Sequence, residues 1–165
     1  MNKSKIDFQP IFVVGCSRSG TTLMSKILNR NKDVHSFHEL HYFERLWNAD
    51  KSVKLSDQGA LELCAKLLLT VREGRRTTSS WQEYLEEAAS LGERRSDQEI
   101  TGFDIYRIVL DAETRKHEKR HACEQTPRNV FYLKSILEEF PGSQILIMIR
   151  DPRAILLSPL VRSHQ

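Results

Sequence analysis

A chain of 165 residues has room for one domain with a core of its own. Its 39% hydrophobic and 28% charged residues are ordinary for a soluble globular protein, and a net charge of +3 selects neither an anionic small ligand nor a polyanion. Cys16, Cys64 and Cys123 have no paired spacing, which excludes a small disulfide scaffold and makes reduced thiols the expectation.

The N-terminal apolar run ends at Val14. It is too short to span a membrane and has no signal-peptide cleavage site, so a soluble, cytoplasmic protein is expected. Within it, Ile11-Phe12-Val13-Val14 is continuous, apolar and β-branched, and Gly15 stops it. That pattern predicts a strand buried on both faces of a parallel sheet. Gly15 to Gly20 reads as a turn. Leu23, Met24, Ile27 and Leu28 then fall at helical spacing from Thr21 to Asn29.

Val34 to Phe37 predicts a second short strand, followed by a loop or helix over Glu39 to Trp47. Residues 50–98 read as helical, with one helix carrying Leu61, Leu63, Leu67, Leu68 and Val71 and another over Trp81 to Leu91. A further helix is predicted from Ile105 to about Lys119. Ala122 to Gln125 reads as a strand ending at Thr126-Pro127, and Val130 to Phe140 as an amphipathic helix. Gln144 to Ile149 is the strongest buried-strand signal, and Ala154 to Leu157 opens a last helix. Strands alternating with helices imply an α/β fold with a central parallel sheet in three layers, of the P-loop nucleotide-binding kind.

The sharpest local signal is strand, then Gly15-x-x-x-x-Gly20-Thr21-Thr22, then helix. Two glycines let the backbone curl so that successive amides face an anion, and the helix adds its free N-terminal amides and positive dipole end. The hydroxyls of Thr21 and Thr22 add donors. A nucleoside-triphosphate loop would place lysine where Thr21 stands. The cation here is Arg18, whose planar fork can hold two phosphate or sulfate oxygens at once.

Gly15-Cys16-Ser17-Arg18-Ser19-Gly20-Thr21-Thr22 resembles the 5′-phosphosulfate loop of sulfotransferases. The likeness is to the bacterial and tyrosylprotein-type branch, with Arg-Ser-Gly-Thr-Thr in place of Lys-Ser-Gly-Thr-Thr. The resemblance assigns Arg18, Ser19, Gly20, Thr21 and Thr22 to the donor 3′-phosphoadenosine 5′-phosphosulfate (PAPS). Arg150-Asp151-Pro152-Arg153 through Ser158 resembles the 3′-phosphate motif, which implies that Arg150 and Ser158 contact that phosphate. Cys123-Glu124-Gln125-Thr126-Pro127 resembles a Glu-Lys-Thr-Pro stretch near the sulfuryl group, with Gln125 at the lysine position.

By the same resemblance Glu39 is the catalytic base that takes the acceptor proton, with Arg18 acting beside it, and His38 is the alternative base. Position alone also allows Glu39 to be a helix-start carboxylate. His35, His38 and His41 recur every third residue, but the third drifts around a helix axis and no cysteine pair supports a cluster, so no metal is expected. The Arg115 to His121 run is broken by acidic residues and lacks interleaved aromatics. It therefore reads as a solvated helix end, and no nucleic-acid partner is expected.

The resemblance implies a sulfotransferase domain over residues 1–165, with a helical insertion around 50–119 and a sheet left incomplete at the C-terminal side. Its partners would be the nucleotide donor and an acceptor hydroxyl or amine, and uncovered apolar surface implies self-association. Two other readings stay open at this point: a fragment that binds the nucleotide without turnover, and a P-loop kinase or nucleotide hydrolase.

Overall fold

Strand β1 (Ile11–Gly15) lies inside a four-stranded sheet because both of its faces are covered. The computed structural model describes residues 8–47, 53–74, 80–92 and 100–162, with side chains to Leu157. The remaining strands are β2 (Val34–Ser36), β3 (His121–Glu124) and β4 (Gln144–Met148). Their order is β2-β3-β1-β4 and every pairing is parallel. Register sets Ile11 opposite Cys123 on one side and opposite Gln144 on the other.

Alternation along β1 divides the core. Val13, with Val34 and Cys123, meets Met24 and Leu28 of helix α1 (Thr21–Leu28) on one face. Phe12 and Val14 face a larger cluster with Leu67, Leu68, Tyr106, Ile136 and Phe140 on the other. The fold is thus α/β, a parallel sheet flanked by helices, as the alternating pattern predicts. Only part of the predicted apolar stripe of α1 faces the sheet, for Leu23 and Ile27 are exposed.

Between β2 and β3 lie α2 (Tyr42–Arg45), α3 (Asp57–Glu73), α4 (Trp81–Gly92) and α5 (Gly102–Lys116). Ser56 caps α3 by accepting from the Gly59 amide at 3.1 Å. Thr101 and Asp104 form a reciprocal capping box, so α5 begins three residues before the predicted Ile105. It also stops at Lys116, short of the predicted Lys119.

The predicted helix over Val130 to Phe140 divides into a 3₁₀ segment, Pro127–Tyr132, and α6 (Leu133–Glu139). Pro127 starts the 3₁₀ turn early because its fixed φ and missing amide suit a first helical turn. Strand β4 requires the larger correction. It is an edge strand, with Leu146, Ile147 and, just beyond it, Ile149 exposed. Its apolar run is the same in a central strand and an edge strand, so periodicity could not separate them. Helix α7 (Pro152–Arg162) follows, with Leu156 and Leu157 also exposed. Among the described residues no helix is long and apolar enough to cross a membrane.

Arg72 ties α3, α4 and α5 together. Its guanidinium pairs with Glu87 and donates to Glu113 at 3.2 Å from Nε and 2.5 Å from Nη2. The paired carboxylates raise the Arg72 pKa, and hydrogen bonds from Arg72 lower that of Glu87. Glu113 is buried, so removing the cation leaves a carboxylate without its counter-charge. Arg72→Ala is expected to destabilise the fold by about 3–5 kcal/mol in a denaturant titration. The double variant Arg72→Met/Glu113→Leu is expected to recover much of that loss.

Candidate active site

The loop between β1 and α1 owes its shape to both glycines. At Gly15 (φ 144°) an added Cβ would collide with the Met148 carbonyl oxygen on the neighbouring strand. Gly20 stands at φ 101° immediately before α1. Between them Arg18 adopts φ 69°, the left-handed region disfavoured for a residue with a Cβ. The Ser19 amide closes the turn by donating to the Cys16 carbonyl at 3.1 Å.

A cavity of about 620 Å³ opens in front of this loop. Ser17, Arg18, Gly20, Thr21, Thr22, Glu39 and Arg150 are among its lining residues. Three segments distant in sequence therefore meet at the carboxyl end of the sheet, beyond β1, β2 and β4. Ligands of open α/β sheets bind at such ends. Arg18 and Arg150 are the cations of the lining and Glu39 is its carboxylate.

Ser19 does not line the cavity. It is buried, and its Oγ has no partner among the described residues. Ser158 falls within α7, but its side chain lies outside the described residues. Among the described residues Arg150 pairs with no carboxylate; its Nη1 donates to the Arg18 carbonyl at 3.1 Å. Asp151 is taken by Arg153, at 2.6 Å, and hydrogen bonds from that residue hold its pKa below the ordinary value.

Glu39 is positioned by what flanks it. The Phe37 amide donates to the Cys123 carbonyl at 2.8 Å, extending the β2–β3 ladder. The Leu40 amide then reaches Glu124 Oε1 at 3.4 Å, and the His41 amide reaches Thr126 Oγ1 at 3.3 Å. Glu124 is fully buried. Thr126 Oγ1 and Asn129 Nδ2 both donate to it at 2.5 Å. One buried carboxylate thus joins the end of β3, the 3₁₀ segment and the Glu39 loop.

Burial raises the Glu124 carboxyl from its ordinary 4.5 to about 7, against the lowering effect of its hydrogen bonds; the charge on Glu39 adds to the rise. A carboxyl with a raised folded pKa contributes stability below its unfolded value and loses it as pH climbs through the folded one. The contribution of Glu124 should therefore decline between pH 4.5 and about 7, by about 3 kcal/mol on the scale of 1.4 kcal/mol per pKa unit. Unfolding midpoints across that window should flatten in Glu124→Gln, whereas an unchanged pH slope would remove Glu124 as its source.

Sequence reasoning placed Glu124 and Thr126 in a family-like stretch and weighed His41 only for a metal; it missed the contacts of both with the Glu39 loop. His41 Nε2 lies 3.3 Å from Glu39 Oε2, and its Nδ1 lies 2.6 Å from Glu44 Oε2. Glu44 in turn pairs with Arg128 Nε at 2.7 Å. Each ring nitrogen of His41 thus faces a carboxylate oxygen, and the ring can donate to both Glu44 and Glu39 only when both nitrogens carry a proton. The i,i+3 spacing of His41 and Glu44 was the available signal. His38, the alternative base, is exposed and does not line the loop cavity. His35 instead stacks on His117, with centroids 4.0 Å apart. Among the described residues no group of three His, Cys, Asp or Glu side chains is placed to share a metal ion.

Gln125 is also buried, and its Oε1 has no partner among the described residues. Cys16 is exposed and Cys64 and Cys123 are buried; all three are free thiols.

A parallel sheet with a glycine-bounded loop between an inner strand and the following helix is consistent with a P-loop-like α/β fold. The sequence profile described as the sulfotransferase family matches residues 10–163, and the chain belongs to that family. It is also similar to a Caenorhabditis briggsae protein named "Putative protein-tyrosine sulfotransferase", with 27% identity over 154 residues. That alignment covers 93% of this chain and 44% of the relative, so the chain spans less than half of the relative's length.

Proposed function

We propose that the loop cavity binds PAPS and that the chain supports transfer of its sulfuryl group to an acceptor hydroxyl or amine. The observation that carries this reading is the meeting of Arg18, Glu39 and Arg150 around one cavity from three separate segments. In this reading the loop amides, Arg18, Thr21 and Thr22 hold the 5′-phosphosulfate. Arg150 and Ser158 hold the 3′-phosphate, and Ser19 and Gly20 shape the loop.

Glu39 accepts the acceptor proton as the acceptor oxygen or nitrogen bonds to sulfur. The bond from sulfur to the bridging oxygen of the 5′-phosphate breaks, and 3′-phosphoadenosine 5′-phosphate leaves with that electron pair. Arg18 neutralises charge growing on the bridging oxygen. His41 Nε2 lies beside Glu39 and helps to position it. Gln125 supplies no charge, so compensation at the transferring group falls to the lining cation Arg18. The chemistry needs no metal ion.

Arg150→Ala tests the reading. It should reduce the preference for 3′-phosphoadenosine 5′-phosphate over adenosine 5′-phosphate by roughly tenfold to a hundredfold, the value of one charge-assisted hydrogen bond. Binding of adenosine 5′-phosphate itself should change little. An equal loss for both nucleotides would detach Arg150 from the 3′-phosphate.

A further inference from the structure

Glu39 lines a second cavity as well. This one has a volume of about 260 Å³ and is also lined by His41, Arg45, Leu46, Lys66 and Thr70. Glu39 is the one residue common to the linings of this cavity and the loop cavity, so it stands between the two. Arg45 comes from α2 and Lys66 from α3, two helices that converge on the same opening. Both residues are exposed, and neither side chain has an ion pair or hydrogen bond with a described residue. The one carboxylate of the lining, Glu39, is engaged by His41 at 3.3 Å. Two cations with no side-chain partner among the described residues, at one cavity, attract an anion.

We propose that this cavity is the acceptor subsite, and that it takes a compact hydroxyl-bearing group that also carries an anionic substituent. The anion, a carboxylate, sulfate or phosphate, meets Arg45 and Lys66 while the hydroxyl meets Glu39. The volume sets the size: it lies below the roughly 300–1,000 Å³ of pockets that enclose drug-sized ligands, so one aromatic or sugar ring fits and a fused polycycle does not. Position brings the two together, for a hydroxyl held at Glu39 in this cavity lies next to the proposed donor cavity that Glu39 also lines. This inference rests on the proposed donor site.

The test is direct titration of the full chain, followed by NMR, with and without 3′-phosphoadenosine 5′-phosphate. The probes are 4-hydroxyphenylacetate and glucuronate, each beside its uncharged amide. At least one acid should bind roughly tenfold or more tightly than its amide, as expected for charge-assisted contacts, and added salt should erode the difference. In Arg45→Ala/Lys66→Ala that preference should vanish while nucleotide binding stays unchanged. That second readout also reports that the variant is folded. Equal binding of acid and amide, no binding of either acid, or a preference that survives the double substitution would each overturn the acceptor assignment. Failure of the unsubstituted chain to bind the nucleotide would instead overturn the donor reading. The acid-against-amide comparison made without nucleotide would still decide whether the cavity selects an anion.

Discussion

Glu39→Gln should slow sulfuryl transfer by roughly 10²–10⁴-fold, the usual contribution of a positioned general base. Glutamine preserves the size of the side chain, and the backbone amides that hold the loop are untouched, so the loop geometry should persist. It cannot accept the acceptor proton. Affinity for 3′-phosphoadenosine 5′-phosphate should remain within a few-fold, because the phosphate contacts lie on the loop and on Arg150. Single-turnover rates at saturating PAPS, measured beside a nucleotide titration, separate the two effects. Equal rates in the variant and the parent chain would remove Glu39 from the proton transfer.

Arg18→Ala should weaken nucleotide binding by roughly a hundredfold or more and abolish measurable transfer. A bidentate guanidinium provides two charge-assisted hydrogen bonds, each worth about 1.5–3 kcal/mol. Arg18→Lys should fall between the parent and alanine, since a point charge remains without the fork. Arg18→Gly supplies the control. Arg18 stands at φ 69°, and glycine there should relieve about 1 kcal/mol of left-handed strain. That variant should fold at least as stably as the parent chain and still fail to hold the nucleotide. Loss of binding in it could not then be blamed on unfolding.

Local signals were the legible ones. The run Ile11 to Val14, the glycine loop and the start of α1 are adjacent in sequence, and each element demands the next. Arg150 could be placed at a strand end because an apolar run leads directly to it. Glu39 was found by resemblance, and the three links that hold its loop to Cys123, Glu124 and Thr126 span more than eighty residues. No periodicity carries such pairings. Glu124 stood out in sequence only as part of a family-like stretch; its full burial and its hold on the Glu39 loop appear only in the fold. The Arg72–Glu113 pair, 41 residues apart, was hidden for the same reason. Exposure of β4 escaped because a strand's own residues do not say how many neighbours it has.

The most direct measurement is calorimetric titration of the chain with 3′-phosphoadenosine 5′-phosphate beside adenosine 5′-phosphate. If Arg18 and Arg150 belong to one site, the first nucleotide binds at least roughly tenfold more tightly, in proportion to the extra charged contacts. Equal affinities, or no binding by a chain shown to be folded, would contradict a single donor site built from the loop and the end of β4.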